Sequence, residues 1–472
     1  MELWVQSYGI LPYFCRKNMK KIHFIAIGGS IMHQLAICLQ QAGWEVTGSD
    51  DEIFEPARSN LAQQGLLPAT LGWFPNKIDA QLDAVIVGMH AKADNPELLA
   101  AQQQGIPIHG YPQYIYEHAR YKRRIMVGGS HGKTTTTAMI MHVLRQLGRD
   151  FDYLVGARLA DFDSSVRLTN DAPLMVIEGD EYLASPLTPF PKFHFYQPHI
   201  AILTGIAWDH VNVFPTFEEY VEQFRIFIRT LPPQAILVYY QHDKHLVRLL
   251  QDELWAEQLQ LIPYGTPDYE STETGSNICY EGESFDLLIF GKHNLQNMAA
   301  AQVVCEKIGI NPHDFLKAMT TFAGAARRLE KVAQNKHSVC FKDFAHAPSK
   351  VKATTEALKT QYPHRRLIAC FELHTYSSLN KDFLHQYQHA LAAADVAIVF
   401  FEEHTFAIKK LPLLTIADVQ KGFQRADLLV FNNTKDLQTF LDQQDYHNTN
   451  LLLMSSGNFG GLDMIDLQKH WQ

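Results

Sequence analysis

Short apolar runs alternate with amphipathic stretches along most of the chain. The run that begins at Ile22 ends in a glycine-rich turn, and apolar residues then return at the spacing of a helix face. The same order recurs after Ile125, where a second glycine-rich turn precedes a second amphipathic stretch. Alternation of this kind is typical of α/β domains built on parallel sheets. The pattern therefore predicts an α/β protein.

The pattern restarts twice, which predicts three domains. A Rossmann-like domain is expected over residues 1–122, a phosphate-loop domain over 123–325 and a C-terminal Rossmann-like domain over 326–472. The division agrees with the length, because 472 residues exceed what one hydrophobic core usually serves. Residues 1–20 fit no part of the pattern and are interpreted as a possible extension.

The turn that follows Ile125–Val127 is the clearest candidate site. It consists of Gly128, Gly129, Ser130, His131, Gly132, Lys133, Thr134 and Thr135. Glycines allow backbone N–H groups to face an anion, and Lys133 can reach the outer phosphates of a nucleotide. The hydroxyl of Thr134 is a candidate ligand of Mg²⁺. Because three residues rather than four separate Gly128 from Gly132, this is a variant phosphate loop, and a glycine-rich turn without a ligand is the alternative.

Two later strand ends carry candidate metal ligands. The predicted strand after residue 173 ends in Glu178-Gly179-Asp180-Glu181, where a carboxylate that binds Mg²⁺ beside a phosphate loop is expected. Glu181 is the preferred ligand, with Asp180 in support, and a solvated strand end is the alternative. His210 follows the next predicted strand and is interpreted as a metal ligand or phosphate contact, although single histidines are more often structural.

Two turns of the first domain, after its first and second predicted strands, lie where a Rossmann-like fold would bind a nucleotide sugar. Their candidate residues are Gly28, Gly29, Ser30, Ser49 and Asp50. Rossmann-like folds bind phosphate at the first of these turns and a ribose or neighbouring hydroxyl at the second. Since the dinucleotide fingerprint is missing, a nucleotide-sugar diphosphate is favoured over a nicotinamide cofactor.

Asn294 and Asn297 lie three residues apart at the start of a predicted helix. They therefore share one helix face, where their amides suit the donor and acceptor edge of a base. Helix capping and surface exposure are the alternative interpretation.

Composition and charge exclude several classes of partner. The formal charge of −9 is mild and no block of like charges occurs, so nothing favours nucleic acid or a membrane surface. The apolar runs are shorter than a membrane span. Six widely separated cysteines agree with a reducing compartment. A cytoplasmic protein that binds small solutes is expected, and its oligomeric state is left open.

Six blocks of the sequence resemble the Mur ligase family, the ATP-dependent amide-forming enzymes of bacterial wall synthesis. They are residues 129–136, Glu178–Glu181, Asp209-His210, Gly291–Asn297, Arg327–Glu330 and Asp343–Pro348. All six stand in the order of the family, and the resemblance extends from about Lys21 to the end of the chain.

The resemblance implies roles for individual residues. Those implied in catalysis are Lys133, Glu181, His210, Arg327 and His346. Those implied to hold ATP are residues 129–135 together with Asn294, Asn297 and Asp343. Those implied to hold Mg²⁺ are Thr134, Glu181 and His210. Substrate contacts are expected at the two turns of the first domain and, in the third domain, at His374 and Asn458.

Two features point to one branch of the family. Ile31 and the turn Asn458–Gly461 resemble the recycling ligases, which join UDP-N-acetylmuramate to L-alanyl-γ-D-glutamyl-meso-diaminopimelate. The implied reaction passes through an acyl phosphate. Addition of L-alanine to UDP-N-acetylmuramate is one alternative, and a phosphate-loop regulator or ATPase without ligase activity is another.

The sequence also departs from the family near His210. Gly205 and Asn212 stand where relatives usually have Asn and Asp, and residues 211–229 contain no lysine that could be carbamylated. Fewer polar groups are therefore expected around this histidine. In the third domain, residues 371–377 stand where relatives have an arginine-containing segment, so the amine substrate is the least constrained part of the interpretation.

Overall fold

The computed structural model of the chain describes residues 20–157, 159, 161–185, 188–208, 213–251, 255–324 and 328–471. Helices connect the strands of parallel sheets, which confirms the predicted α/β class. The described residues form two compact units. The first contains residues up to Tyr114 with Ser185 and Thr188, and the second contains Ile115 to Ala184 and residues from Pro189 onwards. The predicted boundaries at residues 122 and 325 stay predictions.

The first unit is built on a four-stranded parallel sheet in the order β2-β1-β3-β4. Its strands are β1 Lys21–Ile25, β2 Glu45–Ser49, β3 Ala84–Val87 and β4 Ile108–Gly110. Its helices are α1 Ser30–Gln41, α2 Ala57–Gln63 and α3 Pro96–Gln103, and α4 Tyr111–His118 follows β4. Ile22, Phe24 and Ile86 are wholly buried. Both faces of these strands are covered, which explains why their sequences are continuous apolar runs.

The second unit begins with a seven-stranded sheet in the order β13-β12-β11-β5-β8-β6-β7. The strands of this region are β5 Arg123–Gly128, β6 Phe151–Leu154, β7 Val166–Arg167, β8 Leu174–Glu178, β9 Leu183–Ser185, β10 Thr188–Pro191, β11 Ile200–Leu203, β12 Ile236–Tyr240, β13 Gln260–Tyr264, β14 Glu270–Ser271, β15 Ser276–Tyr280 and β16 Glu283–Leu287. Strand β5 lies between β11 and β8 and runs parallel to both. The predicted phosphate loop therefore leaves the sheet at the middle of its carboxyl edge.

Helices of this region bring distant residues to the same edge. They are α5 Lys133–Gln146, α6 Phe217–Arg229, α7 Lys244–Gln251, α8 Trp255–Gln258, α9 Lys292–Lys307 and α10 Pro312–Met319. Met139 and Val143 of α5 share a buried core with Leu295 and Met298 of α9. Packing of these apolar stripes holds the start of α9 beside the phosphate loop.

A six-stranded sheet in the order β17-β18-β22-β19-β20-β21 completes the second unit. Its strands are β17 Glu330–Gln334, β18 Val339–Asp343, β19 Arg366–Leu373, β20 Val396–Phe401, β21 Leu429–Phe431 and β22 Thr449–Met454. Its helices are α11 Pro348–Gln361, α12 Glu403–Lys409, α13 Ile416–Phe423, α14 Thr434–Asp442 and α15 Met464–Gln468. Only β17, at one edge, pairs antiparallel within this described sheet. None of the helices in the described ranges combines the length and apolar character needed to cross a bilayer.

Candidate functional site

The phosphate loop depends on two glycines. Gly129 and Gly132 have φ angles of +109° and +73°, a region that side chains rarely adopt. A Cβ on Gly129 would lie 2.4 Å from Oγ1 of Thr204, and one on Gly132 would lie 2.1 Å from Oδ1 of Asn297. The loop is therefore closely packed against β11 and α9, and Asn297 lies directly over it.

Lys133 is held by oxygen atoms at the start of α5. Its Nζ donates to the carbonyl of Gly129 at 2.8 Å and to both carboxylate oxygens of Glu181, at 2.6 and 2.9 Å. Burial lowers the pKa of Lys133, but the negative charges of Glu181, Asp180 and Glu178 outweigh it and raise the pKa above its usual value. The lysine is thus a fixed cation at the loop.

Glu178 has a position that the sequence alone did not single out. Its Oε1 accepts the hydroxyl of Thr134 at 2.7 Å, and its Oε2 accepts the N–H of Gly156 at 2.8 Å. Hydroxyl and carboxylate oxygens are the ligands that Mg²⁺ prefers, so this pair fits the ion that the family implies. Glu181 contacts Lys133 rather than Thr134, and its assignment as a metal ligand stays a prediction.

A buried tyrosine connects the loop to the acidic strand end. Tyr220 on α6 is wholly buried, and its hydroxyl lies 3.0 Å from Oγ of Ser130 and donates to Glu181 Oε1 at 3.3 Å. The same serine accepts the N–H of Ala207 at 2.8 Å. Sequence reasoning missed Tyr220 because it lies 90 residues from Ser130 and carries no motif of its own.

Asp243 explains the unusual glycine at position 205. Gly205 has a φ of +136°, and a Cβ there would lie 2.7 Å from Oδ2 of Asp243. That carboxylate accepts the N–H of Ile206 at 2.9 Å and the N–H of Leu246 at 2.8 Å. A carboxylate from the loop after β12 therefore holds the backbone that follows β11. The expectation of fewer polar groups around His210 stays a prediction, because His210 lies outside the described residues.

Three polar side chains, His293, Asn294 and Asn297, lie in the first two turns of α9. Asn294 donates to the carbonyl of Phe290 at 2.9 Å, whereas Asn297 is buried. The surface alternative is therefore wrong for Asn297, and both proposed contacts with adenine stay predictions. Burial and the neighbouring charge of Arg328 lower the pKa of His293 to about 4, so this histidine is neutral at pH 7.

Asp343 lies where the third predicted domain begins. Its carboxylate accepts the N–H groups of Leu329 and Ala345, each at 2.7 Å. Burial raises the pKa of Asp343, although Arg328 and these hydrogen bonds act in the opposite direction. The carboxylate thus orders the local backbone, and its expected contact with ribose stays a prediction.

The third predicted domain contacts the phosphate loop directly. Nε2 of His131 lies 2.6 Å from Oγ of Ser349, near the first residue of α11. His346, just before that helix, donates from Nδ1 to the carbonyl of Phe344 at 2.9 Å, and its own carbonyl accepts the hydroxyl of Tyr387 at 2.5 Å. His131 and His346 are therefore on connected elements of the second unit.

His374 lies at the carboxyl edge of the six-stranded sheet, beside the buried carboxylate of Glu372. Glu372 accepts the hydroxyl of Ser455 and the N–H of Phe459, the latter at 2.8 Å, and lies 3.7 Å from Nδ1 of His374. Asn458 is exposed at the tip of the same turn. The structure thus groups the two residues expected to contact the peptide, although their roles stay predictions.

The candidate turns of the first unit are close together. The N–H of Gly28 donates to Oδ2 of Asp50 at 2.7 Å, and burial raises the pKa of that carboxyl. Gly29 precedes α1 and Ser30 begins it, with its side chain exposed. The start of this helix is therefore accessible to an anion, as the sugar-nucleotide prediction requires.

Ser49 has a basic neighbour that the sequence did not indicate. Nζ of Lys77 donates to Oγ of Ser49 at 3.0 Å, although 28 residues separate them. A lysine at the carboxyl end of β2 adds positive charge to this candidate site. Lys77 lies in a short 3₁₀ helix with no recognisable motif, so only the fold reveals it.

His210 and Arg327 lie outside the described residues, so their predicted roles stay predictions. Within the described ranges, no group of three or more acidic, histidine or cysteine side chains forms a candidate metal centre. The oxygen pair of Thr134 and Glu178 is accordingly the local feature that fits Mg²⁺.

Comparison with family models supports the resemblance over two regions. The model described as the Mur ligase family catalytic domain matches residues 21–123, and that of the Mur ligase middle domain matches residues 127–305. The first match ends at the first residue of β5, and the second begins at Val127, just before the phosphate loop.

Individual relatives extend the likeness into the third predicted domain. The UDP-N-acetylmuramate–L-alanyl-γ-D-glutamyl-meso-2,6-diaminoheptandioate ligase of Haemophilus influenzae is 29% identical over 96% of this chain and 99% of its own. The UDP-N-acetylmuramate–L-alanine ligase of Clostridium kluyveri is 32% identical over 77% of this chain and 80% of its own. The crystal structure of a murein peptide ligase from Psychrobacter arcticus has the same fold, with a TM-score of 0.65 and 23% identity over 95% of this chain and 99% of that one. The chain therefore belongs to the Mur ligase family, whose members are ATP-dependent ligases.

Proposed function

We propose that this ligase joins UDP-N-acetylmuramate to L-alanyl-γ-D-glutamyl-meso-diaminopimelate. The observation that carries this proposal is the likeness to the Haemophilus influenzae relative, whose name states this pair of substrates, over 466 residues. The contact between His131 and Ser349 supports it, because the phosphate loop and the domain expected to hold the amine are directly connected. Such a connection suits a reaction that couples phosphoryl transfer to amide formation.

The proposed reaction begins at the phosphate loop. A free carboxylate is too poor an electrophile for an amine, so an oxygen of the UDP-N-acetylmuramate carboxylate attacks the γ-phosphorus of ATP and ADP leaves. Lys133 and the backbone N–H groups of the loop would neutralise charge on the transferring phosphoryl group. Thr134 and Glu178, with Glu181 nearby, would hold Mg²⁺, which would supply further neutralisation of the phosphate oxygens.

The second step forms the amide. The α-amino group of the peptide's L-alanine attacks the acyl carbon, the bond from that carbon to the phosphate oxygen breaks, and inorganic phosphate leaves as nitrogen releases a proton. Asn294, Asn297 and Asp343 are proposed to hold ATP, and His374 with Asn458 to hold the peptide. ATP and UDP-linked sugars are cytoplasmic solutes, so we place the reaction in the cytoplasm.

Product analysis tests the substrate assignment. Purified protein is incubated with ATP, Mg²⁺ and UDP-N-acetylmuramate, and with equal concentrations of the tripeptide and L-alanine. The tripeptide conjugate, ADP and phosphate are expected in equal amounts. Formation of the alanine conjugate as the main product would instead favour the reaction named for the Clostridium kluyveri relative.

Phosphate release provides the second half of the test. Release is expected to require both the sugar nucleotide and the amine. Equal rates without either substrate would contradict ligation and favour an ATPase or regulatory role.

A further inference from the structure

Lys409, the last residue of α12, lies over the aromatic ring of Tyr376. Its Nζ lies 4.4 Å from the centre of the Tyr376 ring, within the range of a cation–π interaction. Tyr376 is 46% exposed and lies in a tight turn. In this turn the N–H of Thr375 donates to Oγ of Ser378 at 2.9 Å. The ammonium of Lys409 is therefore positioned over a ring that solvent can reach.

This pair lies at the carboxyl edge of the six-stranded sheet. Strand β19 lies between β22 and β20 and runs parallel to both, so the loops after these strands share one edge. Tyr376 follows His374 by two residues after β19, and α12 starts just after β20. A Cβ on Gly460 would lie 3.4 Å from Cδ of Glu402, so the turn after β22 reaches the start of α12.

Several polar groups at this edge have no hydrogen-bond partner within the described part of the chain. Two are buried: Nδ1 of His374, which lies 3.7 Å from Glu372, and Oγ of Ser456. The third is Nζ of Lys409, which contacts the Tyr376 ring but forms no ion pair with a described carboxylate. Partial burial lowers the pKa of Lys409. Buried polar atoms normally have hydrogen-bond partners, so the atoms of His374 and Ser456 indicate a site that a ligand completes.

The occupant follows from the chemistry of the proposed peptide, and this step rests on the proposed function. The diaminopimelate residue at its far end carries two carboxylates and one free ammonium. We infer that Lys409 is a specificity-determining residue that binds a carboxylate of this residue, and that Tyr376 holds the lysine in position. An ammonium over a ring keeps its remaining N–H donors available for a carboxylate.

Steady-state kinetics with two peptides test the inference. One is the tripeptide with both diaminopimelate carboxylates free, and the other is the same tripeptide with both carboxylates converted to amides. K409Q is expected to raise KM for the free acid about 10- to 100-fold, the range for loss of a charge-assisted hydrogen bond, while kcat and KM for ATP change less than about twofold. For the diamide, K409Q and the wild type should differ by less than about twofold.

The neighbouring lysine provides a matched control. Lys410 is exposed, and K410Q removes the same charge one residue away, so it should behave as the wild type with both peptides. Y376L should share part of the loss for the free acid, whereas Y376F, which keeps the ring, should not. Thermal unfolding of each variant identifies any loss of fold.

Two outcomes would overturn the inference. One is a K409Q variant that matches K410Q on the free acid, and the other is a loss of the same size for both peptides. If the wild type forms no product with either peptide but ligates L-alanine, the proposed function fails together with this inference. A wild type that ligates the tripeptide while K409Q remains unchanged contradicts the inference alone.

Discussion

The carboxyl edges of the two large sheets are specified in different ways. At the seven-stranded sheet, the chemistry is concentrated in one contiguous loop from Gly128 to Thr135, supported by carboxylates of the next strand in the sheet. At the six-stranded sheet, the candidate groups come from separate loops, and Glu372 meets Ser455 across 83 residues. Triphosphates present the same charges to every phosphate loop, whereas amines differ in shape and charge. A contiguous motif therefore suits the binding of a triphosphate, and a surface assembled from separate loops suits the recognition of a particular amine.

Removal of the phosphate-loop cation should produce the largest effect. K133A leaves Glu181 and the carbonyl of Gly129 without their shared donor and removes the charge that faces the transferring phosphoryl group. We expect kcat for amide formation to fall about 100- to 1000-fold. Rapid-quench measurement of ADP formation would check this, with K352A, at an exposed position of α11, as a control for loss of a lysine. Activity within a few-fold of the wild type would remove the loop from the mechanism.

Glu178 tests whether the edge holds Mg²⁺ as proposed. E178Q keeps the size of the side chain and removes the charge beside the Thr134 hydroxyl. The Mg²⁺ concentration for half-maximal activity should rise about 10- to 100-fold, by analogy with the loss of groups that support a metal ligand. Calorimetric titration of ADP with and without Mg²⁺ gives an independent measure. E222Q, at a half-exposed carboxylate on α6 that pairs with Arg225, should leave both quantities unchanged. An equal response of the two variants would argue against the assignment.

A substitution at the carboxyl edge of the six-stranded sheet should change KM for the peptide rather than kcat. A Cβ on Gly457 would lie 2.7 Å from Nδ1 of His374 and 2.9 Å from Oε2 of Glu372, so G457A must shift the turn or displace both side chains. We expect KM for the peptide to rise roughly tenfold, while KM for ATP remains unchanged. S456A adds no atoms to this turn and should have a smaller effect. Equal increases in both KM values would show that the two edges are not separable.

The difference between the edges also explains what the sequence could predict. Strands such as β5 and β19 were predictable because residues covered on both faces must be apolar. The placement of Lys133 and Glu181 at one sheet edge was predictable because both follow strand ends, but their ion pair was not predicted. Tyr220 and Asp243 were not, because each reaches the loop through packing of distant elements. A residue that contributes one hydrogen bond through the tertiary fold leaves no periodic signal in the chain.

The hydrogen bond between the two edges should give the smallest effect. S349A removes the hydroxyl that lies 2.6 Å from Nε2 of His131, and the histidine can then rotate away from α11. Because a neutral hydrogen bond contributes about 1 kcal/mol, kcat/KM for the peptide should fall about fivefold, and S349T should restore most of it. ADP binding, measured by calorimetry, should be unchanged, since the backbone of the loop is intact. A loss of ADP affinity as large as the loss of kcat/KM would mean that Ser349 supports the loop itself, and that nucleotide and amine sites are coupled through His131 before any phosphoryl group is transferred.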